Sequence, residues 1–244
     1  MSAYLLNEFS CVPRRSKRSV AIRMRFNCLI VFVALWPLAP RTAHSQESGR
    51  AAATGEAAKP RLDSEVIAEG EGSFGHYHIF ANSWWSYLYT GGVEYDRHSW
   101  GYFGKSRMDY VAEVLPVAIL LQPAQTDVWG NPRSKAHELV PGAAISPIGL
   151  RMMWRNDKSF RPYFIVKGGT IVFAKKALSQ DAAYQNFLFQ LGIGVQTKLT
   201  DRLDLRVGYS DIHFSDAFMV PSNPGLDVMA YTGGLSYRLR GKKR

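Results

Sequence analysis

The stretch His213-Phe-Ser215 sets an imidazole and a hydroxyl two residues apart, and Asp227 follows across a short Pro/Gly-rich segment, Pro221-Ser-Asn-Pro-Gly-Leu-Asp227. A serine hydroxyl is a weak nucleophile until a neighbouring base removes its proton. Histidine can act as that base, and a carboxylate can fix its tautomer and stabilise the imidazolium that forms. The spacing has a structural requirement. On an extended strand, residues i and i+2 point to the same side, roughly 7 Å apart along the chain. His213 and Ser215 meet only if their side chains lean toward each other.

The flanking residues meet the first part of that requirement. Leu203, Leu205, Val207, Tyr209, Asp211, His213 and Ser215 alternate with Asp204, Arg206, Gly208 and Ser210, the period of a strand with one apolar and one polar face. After the intervening segment, Asp227, Met229, Tyr231, Leu235, Tyr237 and Leu239 share a face in the same way. The apolar row turns polar where the first strand ends and the second begins. His213, Ser215 and Asp227 are therefore expected on one outward face of neighbouring strands, beside the connection between them.

The same alternation runs through the chain. In Tyr184–Lys198, Phe187, Phe189, Leu191, Ile193 and Val195 oppose Leu188, Gln190, Gly192, Gly194 and Gln196. Strands are expected near 73–82, 87–97, 107–121, 142–155, 160–174, 184–199, 203–216 and 226–239. The fold class that follows is all-β: an eight-stranded antiparallel up-and-down transmembrane barrel. Past the leader, the longest unbroken apolar run is Val114–Leu121, far short of the roughly 20 residues a spanning helix needs. Short polar connections at 156–159 and 199–202 alternate with longer ones at 175–183 and 217–225, as periplasmic turns alternate with external loops. The stretch 123–141 stands out as too long for a periplasmic turn. A soluble lipocalin-type barrel shares the period. The polar row of Gly, Gln, Arg and Lys and the many aromatics near strand ends favour the membrane form. Glu113, Arg151, Lys167, Arg206 and Arg238 fall on rows read as inward, which is the pattern of an interior charge network.

Residues 1–45 read as a cleaved signal peptide, with basic residues ahead of the apolar run Cys28–Ala39 and Ala43-His-Ser45 after it. Met24 is an alternative start. Residues 46–71 are small, polar and unpatterned and read as a disordered linker; 72–239 form the barrel and 240–244 a basic tail. Residues 1–45 hold seven of the 30 Lys/Arg and one of the 20 Asp/Glu, leaving 23 basic against 19 acidic, a net of +4. The high apparent pI thus belongs to the leader, and nucleic acid is a poor partner. Both cysteines, Cys11 and Cys28, lie in the leader, so neither a disulfide framework nor a thiolate metal site is expected. His76-Tyr-His78 has metal-like spacing without a third ligand and reads as interfacial polar residues.

His213-Phe-Ser215, the Pro221–Asp227 segment and the closing alternating strand resemble the PagL-type lipid A 3-O-deacylase (acyloxyacyl hydrolase) family, most sharply over about residues 205–239. The resemblance implies an eight-stranded outer-membrane barrel of a Gram-negative bacterium. It also implies hydrolysis of an ester-linked acyl chain of lipid A, without a cofactor or metal. Ser215 would be the nucleophile, His213 the base and Asp227 the acid. The partners implied are lipid A, or lipopolysaccharide, and the membrane; a homodimer stays open. Two residues depart from the family pattern. The acid is Asp rather than Glu. Asp216 stands where the family usually has the Asn linked to the oxyanion, so Asp216 and Ala217 mark the oxyanion neighbourhood and a carboxylate there would repel the developing charge. The alternative to an enzyme is a non-catalytic outer-membrane barrel of the same fold, structural or interacting.

Overall fold

The computed structural model describes residues 64–81 and 83–239. Eight strands follow one another: β1 (Ser64–His76), β2 (Tyr87–Phe103), β3 (Ser106–Pro123), β4 (His137–Met153), β5 (Phe160–Phe173), β6 (Gln185–Lys198), β7 (Leu203–Ser215) and β8 (Leu226–Leu239). Each pairs antiparallel with the next, and β1 pairs with β8 to close the barrel. Closure leaves no strand edge, so the ladder satisfies its own backbone polar groups where no water is available.

The alternation read from the sequence sorts the two surfaces. Phe187, Phe189, Leu191 and Ile193 of β6, Leu205 and Val207 of β7, and Tyr231, Leu235 and Tyr237 of β8 all lie on the exposed exterior. The charged residues lie inside. This is the inverse of a lipocalin, and it removes the soluble reading. Arg151 reaches Asp96 at 2.5 Å and Asp109 at 2.7 Å, Arg206 reaches Glu94 at 2.5 Å, and Arg161 reaches Asp204 at 2.6 Å. The Lys167 ammonium sits among Glu69 (3.4 Å), Glu94 (3.0 Å) and Glu113. Glu113, Arg151, Lys167, Arg206 and Arg238 are thus all members of the interior network, as their rows required. Gly194 and Gly208 face each other across β6 and β7. A side chain on either would strike the Tyr163 hydroxyl, so the missing Cβ atoms make room for an inward tyrosine that lies 4.8 Å beneath Arg206.

The interior changes character along its length. Toward one end it is charged. Toward the other, Leu88, Leu120, Val140, Ile171, Phe173, Ile212, Phe214, Leu226 and Val228 form an apolar core. The rim above that core carries the four long connections, 77–86, 124–136, 174–184 and 216–225. The opposite rim carries three short ones, 104–105, 154–159 and 199–202.

Several expected boundaries are corrected. Residues 64–71 belong to β1, not to a linker. Glu65, Glu69 and Glu71 look like solvated polar sequence, but they point inward and meet Arg151, Lys167 and Gln190. Among the described residues the barrel begins at Ser64, while the expected signal peptide 1–45, residues 46–63 and the tail 240–244 fall outside the described residues. β2 runs on to Phe103, and the 98–106 connection reduces to a turn at Gly104-Lys105. His98 is held to Asp109 at 3.2 Å, and a bulge between His98 and Tyr102 absorbs the twist. β4 starts at His137 rather than at 142, because Gln122 and Glu138 pair across it at 3.0 Å. The long 124–136 connection then lies on the long-loop rim, where its length is ordinary.

Lys167→Ala would remove the cation shared by Glu69, Glu94 and Glu113, leaving Arg206 to pair with Glu94 alone of the three. Removing one partner of a buried ionic group costs about 3–5 kcal/mol. The temperature at which the folded, heat-modifiable band disappears on gels is expected to fall sharply. Lys158→Ala, which breaks the exposed pair with Asp157, should leave it nearly unchanged.

Candidate active site

The register of β7 and β8 determines how the site is built. His213 lies directly opposite Asp227 in the ladder, and side chains at such positions stand about 5 Å apart at Cβ. That short span explains how an aspartate suffices: the acid need not reach along the barrel, because it is already across from its partner. His213 Nδ1 lies 2.6 Å from Asp227 Oδ1, and His213 Nε2 lies 3.2 Å from Ser215 Oγ. With the Nδ1 proton donated to the carboxylate, the Nε2 lone pair faces the serine hydroxyl, the arrangement a general base needs. The two side chains lean together as the i,i+2 spacing demanded.

Asp227 shares the outward row with Met229 and Tyr231, but it does not face lipid. Its side chain is only 1% exposed, because the connection after β1 folds over it. The N–H groups of Ile79 (3.0 Å), Phe80 (2.8 Å) and Ala81 (3.0 Å) all donate to Asp227 Oδ2. One carboxylate oxygen thus holds the histidine and the other holds three backbone donors, a nest of the kind that stabilises buried anions. The Phe80 ring meets the His213 ring edge-on at 5.4 Å. No sequence signal marks Ile79–Ala81, because backbone donors carry no residue-type signature.

Gly225, inside the recognised segment, has a packing role that the sequence left unassigned. A Cβ there would come within 3.0 Å of Ala81 Cβ and 3.4 Å of both His213 Cε1 and Ser215 Cβ. Its carbonyl accepts the Ser83 N–H at 3.2 Å. The glycine lets the β1 connection close against the triad.

Asp216 continues the inward row of Ile212 and Phe214 and is buried. It therefore projects to the face opposite His213 and Ser215. Its Oδ1 accepts the Phe218 N–H at 3.0 Å and its carbonyl accepts the Met219 N–H at 3.1 Å. These bonds hold Ala217 and Phe218 at φ values of 52° and 63°, a left-handed pair that non-glycine residues rarely adopt. Burial pushes the Asp216 carboxyl above its ordinary range. Its carboxylate caps the turn on the face opposite the serine. Elsewhere on the outward row, Asp211 accepts the Tyr209 hydroxyl at 2.6 Å. His76 and His78 bind separate carbonyls, of Ser86 and Ala81, and do not converge.

Residues 70–236 match the family described as lipid A 3-O-deacylase (PagL). The chain belongs to this family. It is an outer-membrane β-barrel. The crystal structure of the outer membrane enzyme PagL is similar over 72% of this chain and 98% of that one, with 15% identity and a TM-score of 0.43. The N-terminal β-barrel domain of Pseudomonas aeruginosa OprF is similar over 73% and 98%, with 11% identity and a TM-score of 0.39. The outer membrane protein OprG of the same species is similar over 74% and 97%, with 9% identity and a TM-score of 0.43. No curated protein matches the chain.

The turn after Ser215 yields a test. Asp216→Asn keeps an acceptor for the Phe218 N–H and is expected to leave the loop as resistant to proteolysis as the parent. Asp216→Ala removes the cap, worth about 1 kcal/mol, and should speed cleavage between 216 and 222. Equal cleavage of all three proteins would show that the cap does not order the turn.

Proposed function

We propose that the chain hydrolyses an ester linkage between an acyl chain and the sugar of lipid A, in the outer leaflet, with Ser215 as nucleophile. The observation that carries this reading is the continuous hydrogen-bonded line from Ser215 through His213 to Asp227, set on the outer wall at the long-loop rim. An enzyme acting on a lipid of that leaflet needs its chemistry at that depth and facing that way.

The steps follow from the geometry. Ser215 Oγ attacks the ester carbonyl while His213 Nε2 takes its proton, and Asp227 stabilises the imidazolium through Nδ1. The carbonyl oxygen gains the charge. The Ala217 N–H has no acceptor among the described residues and is the donor we assign to that oxyanion. As the tetrahedral intermediate collapses, His213 returns the proton to the sugar oxygen, which leaves as an alcohol, and the acyl group stays on Ser215. Water, deprotonated by the same imidazole, then releases the fatty acid and restores the serine.

The surroundings suit an acyl chain. Phe187 and Phe189 lie directly opposite Ser215 and His213 on β6. On the other flank Phe74 stacks on Tyr231 at 4.1 Å. An extended chain can lie along this apolar wall without leaving the lipid.

Ser215→Ala is expected to abolish release of fatty acid from lipid A in membranes while the barrel stays folded. Asp227→Asn should lower the rate by about 10⁴-fold, since the asparagine amide disfavours the Nδ1–H tautomer. Mass spectrometry of extracted lipid A reads both. Unchanged acylation patterns with and without the wild-type protein would contradict the hydrolase reading.

A further inference from the structure

We propose that the connection between β1 and β2 is a clasp seated in the acyl chains of the outer leaflet, and that seating it there holds Asp227 in place for His213. The proposal rests on the hydrolase reading only for its consequence on rate. Ile79, Phe80 and Ala81 are positioning residues that act through the acid.

The backbone of this connection is fastened to the start of β8. Besides the three donors on Asp227 Oδ2, Tyr77 N–H meets the Asp227 carbonyl at 3.4 Å and Ser83 N–H meets the Gly225 carbonyl at 3.2 Å. Its large apolar side chains are exposed. Ile79 is 71% exposed and Phe80 65% exposed, and Trp84 and Trp85 stand out beside them. Four large apolar groups on one short loop form a patch that water disfavours.

Charge identifies the occupant. Residues 77–86 contain no Asp, Glu, Lys or Arg, and in 216–225 the sole charged residue, Asp216, is turned inward. The other two connections on this rim are charged: 124–136 hold Asp127, Arg133 and Lys135, and 174–184 hold Lys175, Lys176 and Asp181. Outward-facing charge on the rim is therefore confined to those two connections, and the two that flank the site form an apolar side. The apolar side continues the lipid-facing wall of Tyr231, Phe74 and Phe187, and a Trp pair at such a boundary is a membrane-interface anchor. Acyl chains fit this surface; a polar protein partner does not.

The coupling to the acid follows from where Asp227 stands. Its row faces lipid, where an uncovered carboxylate is unfavourable. The three N–H groups replace the water it would otherwise need. If the clasp lifts, the carboxylate loses those donors and the bond to His213 loses its rigid support. The site is thereby assembled when the loop rests on lipid.

The barrel carries no cysteine after Cys28, so single labels are readily placed. In bilayers, a nitroxide on Ile79→Cys is expected to be more accessible to oxygen than to a water-soluble nickel complex, and one on Lys135→Cys the reverse. A label at 79 with the accessibility of the one at 135 overturns the proposal. The double variant Ile79→Asp/Phe80→Asp keeps every backbone donor but draws the loop toward water. It should keep a heat-modifiable barrel, lose the low-field NMR proton of His213 Nδ1 in bilayers and slow ester hydrolysis at least tenfold. An unchanged proton signal in that variant overturns the coupling. If the wild type hydrolyses no ester yet shows the low-field proton that the variant loses, the hydrolase reading fails and the clasp stands.

Discussion

The carboxylate of Asp227 joins three parts of the molecule, one of them 148 residues away in the sequence. Through Oδ1 it binds His213 on β7, through its own backbone it belongs to β8, and through Oδ2 it gathers the connection that follows β1. An anion on a lipid-facing row is stable only if its donors are supplied in full, because the surrounding phase offers none. The local structure around the site answers that demand. The β1 connection bends over the acid, Gly225 leaves room for it to close, and the cross-strand register brings the imidazole within bonding distance without a longer side chain.

A second constraint acts on the barrel as a whole. Eight strands enclose a narrow interior, and this one is filled in two ways. Apolar side chains pack it beneath the long-loop rim, and buried ion pairs fill the remainder. The charged half consists of ion-paired groups such as Lys167 among its three glutamates and Arg151 among Glu65, Asp96 and Asp109. Such pairs give geometric specificity more than net stability. The consequence for the site is a stiff wall, so His213 and Ser215 sit on a platform whose register cannot slip without exposing charge to lipid.

Much of this was legible in the residues. Period-two alternation gave eight strands and their faces, because lipid outside and charge inside impose opposite demands on neighbouring positions. His213, Ser215 and Asp227 were legible as one patch for the same reason. The start of the barrel was not: Glu65, Glu69 and Glu71 have the composition of a linker, and only their partners on distant strands reveal them as interior. The nest on Asp227 was invisible because backbone N–H groups look alike in every sequence. The turn that Asp216 caps was likewise not legible, because its side chain lies one step past the point where strand becomes turn.

Ester hydrolysis at this site requires Ser215 to be an activated nucleophile on the lipid-facing wall. The most direct measurement is covalent labelling of the purified barrel in bilayers with a fluorophosphonate bearing an alkyl chain, followed by mapping of the modified residue by mass spectrometry. A single adduct is expected on Ser215, and it should disappear when His213 is replaced by Ala. An unlabelled barrel, or an adduct on another serine with Ser215 untouched, would contradict ester hydrolysis at this site.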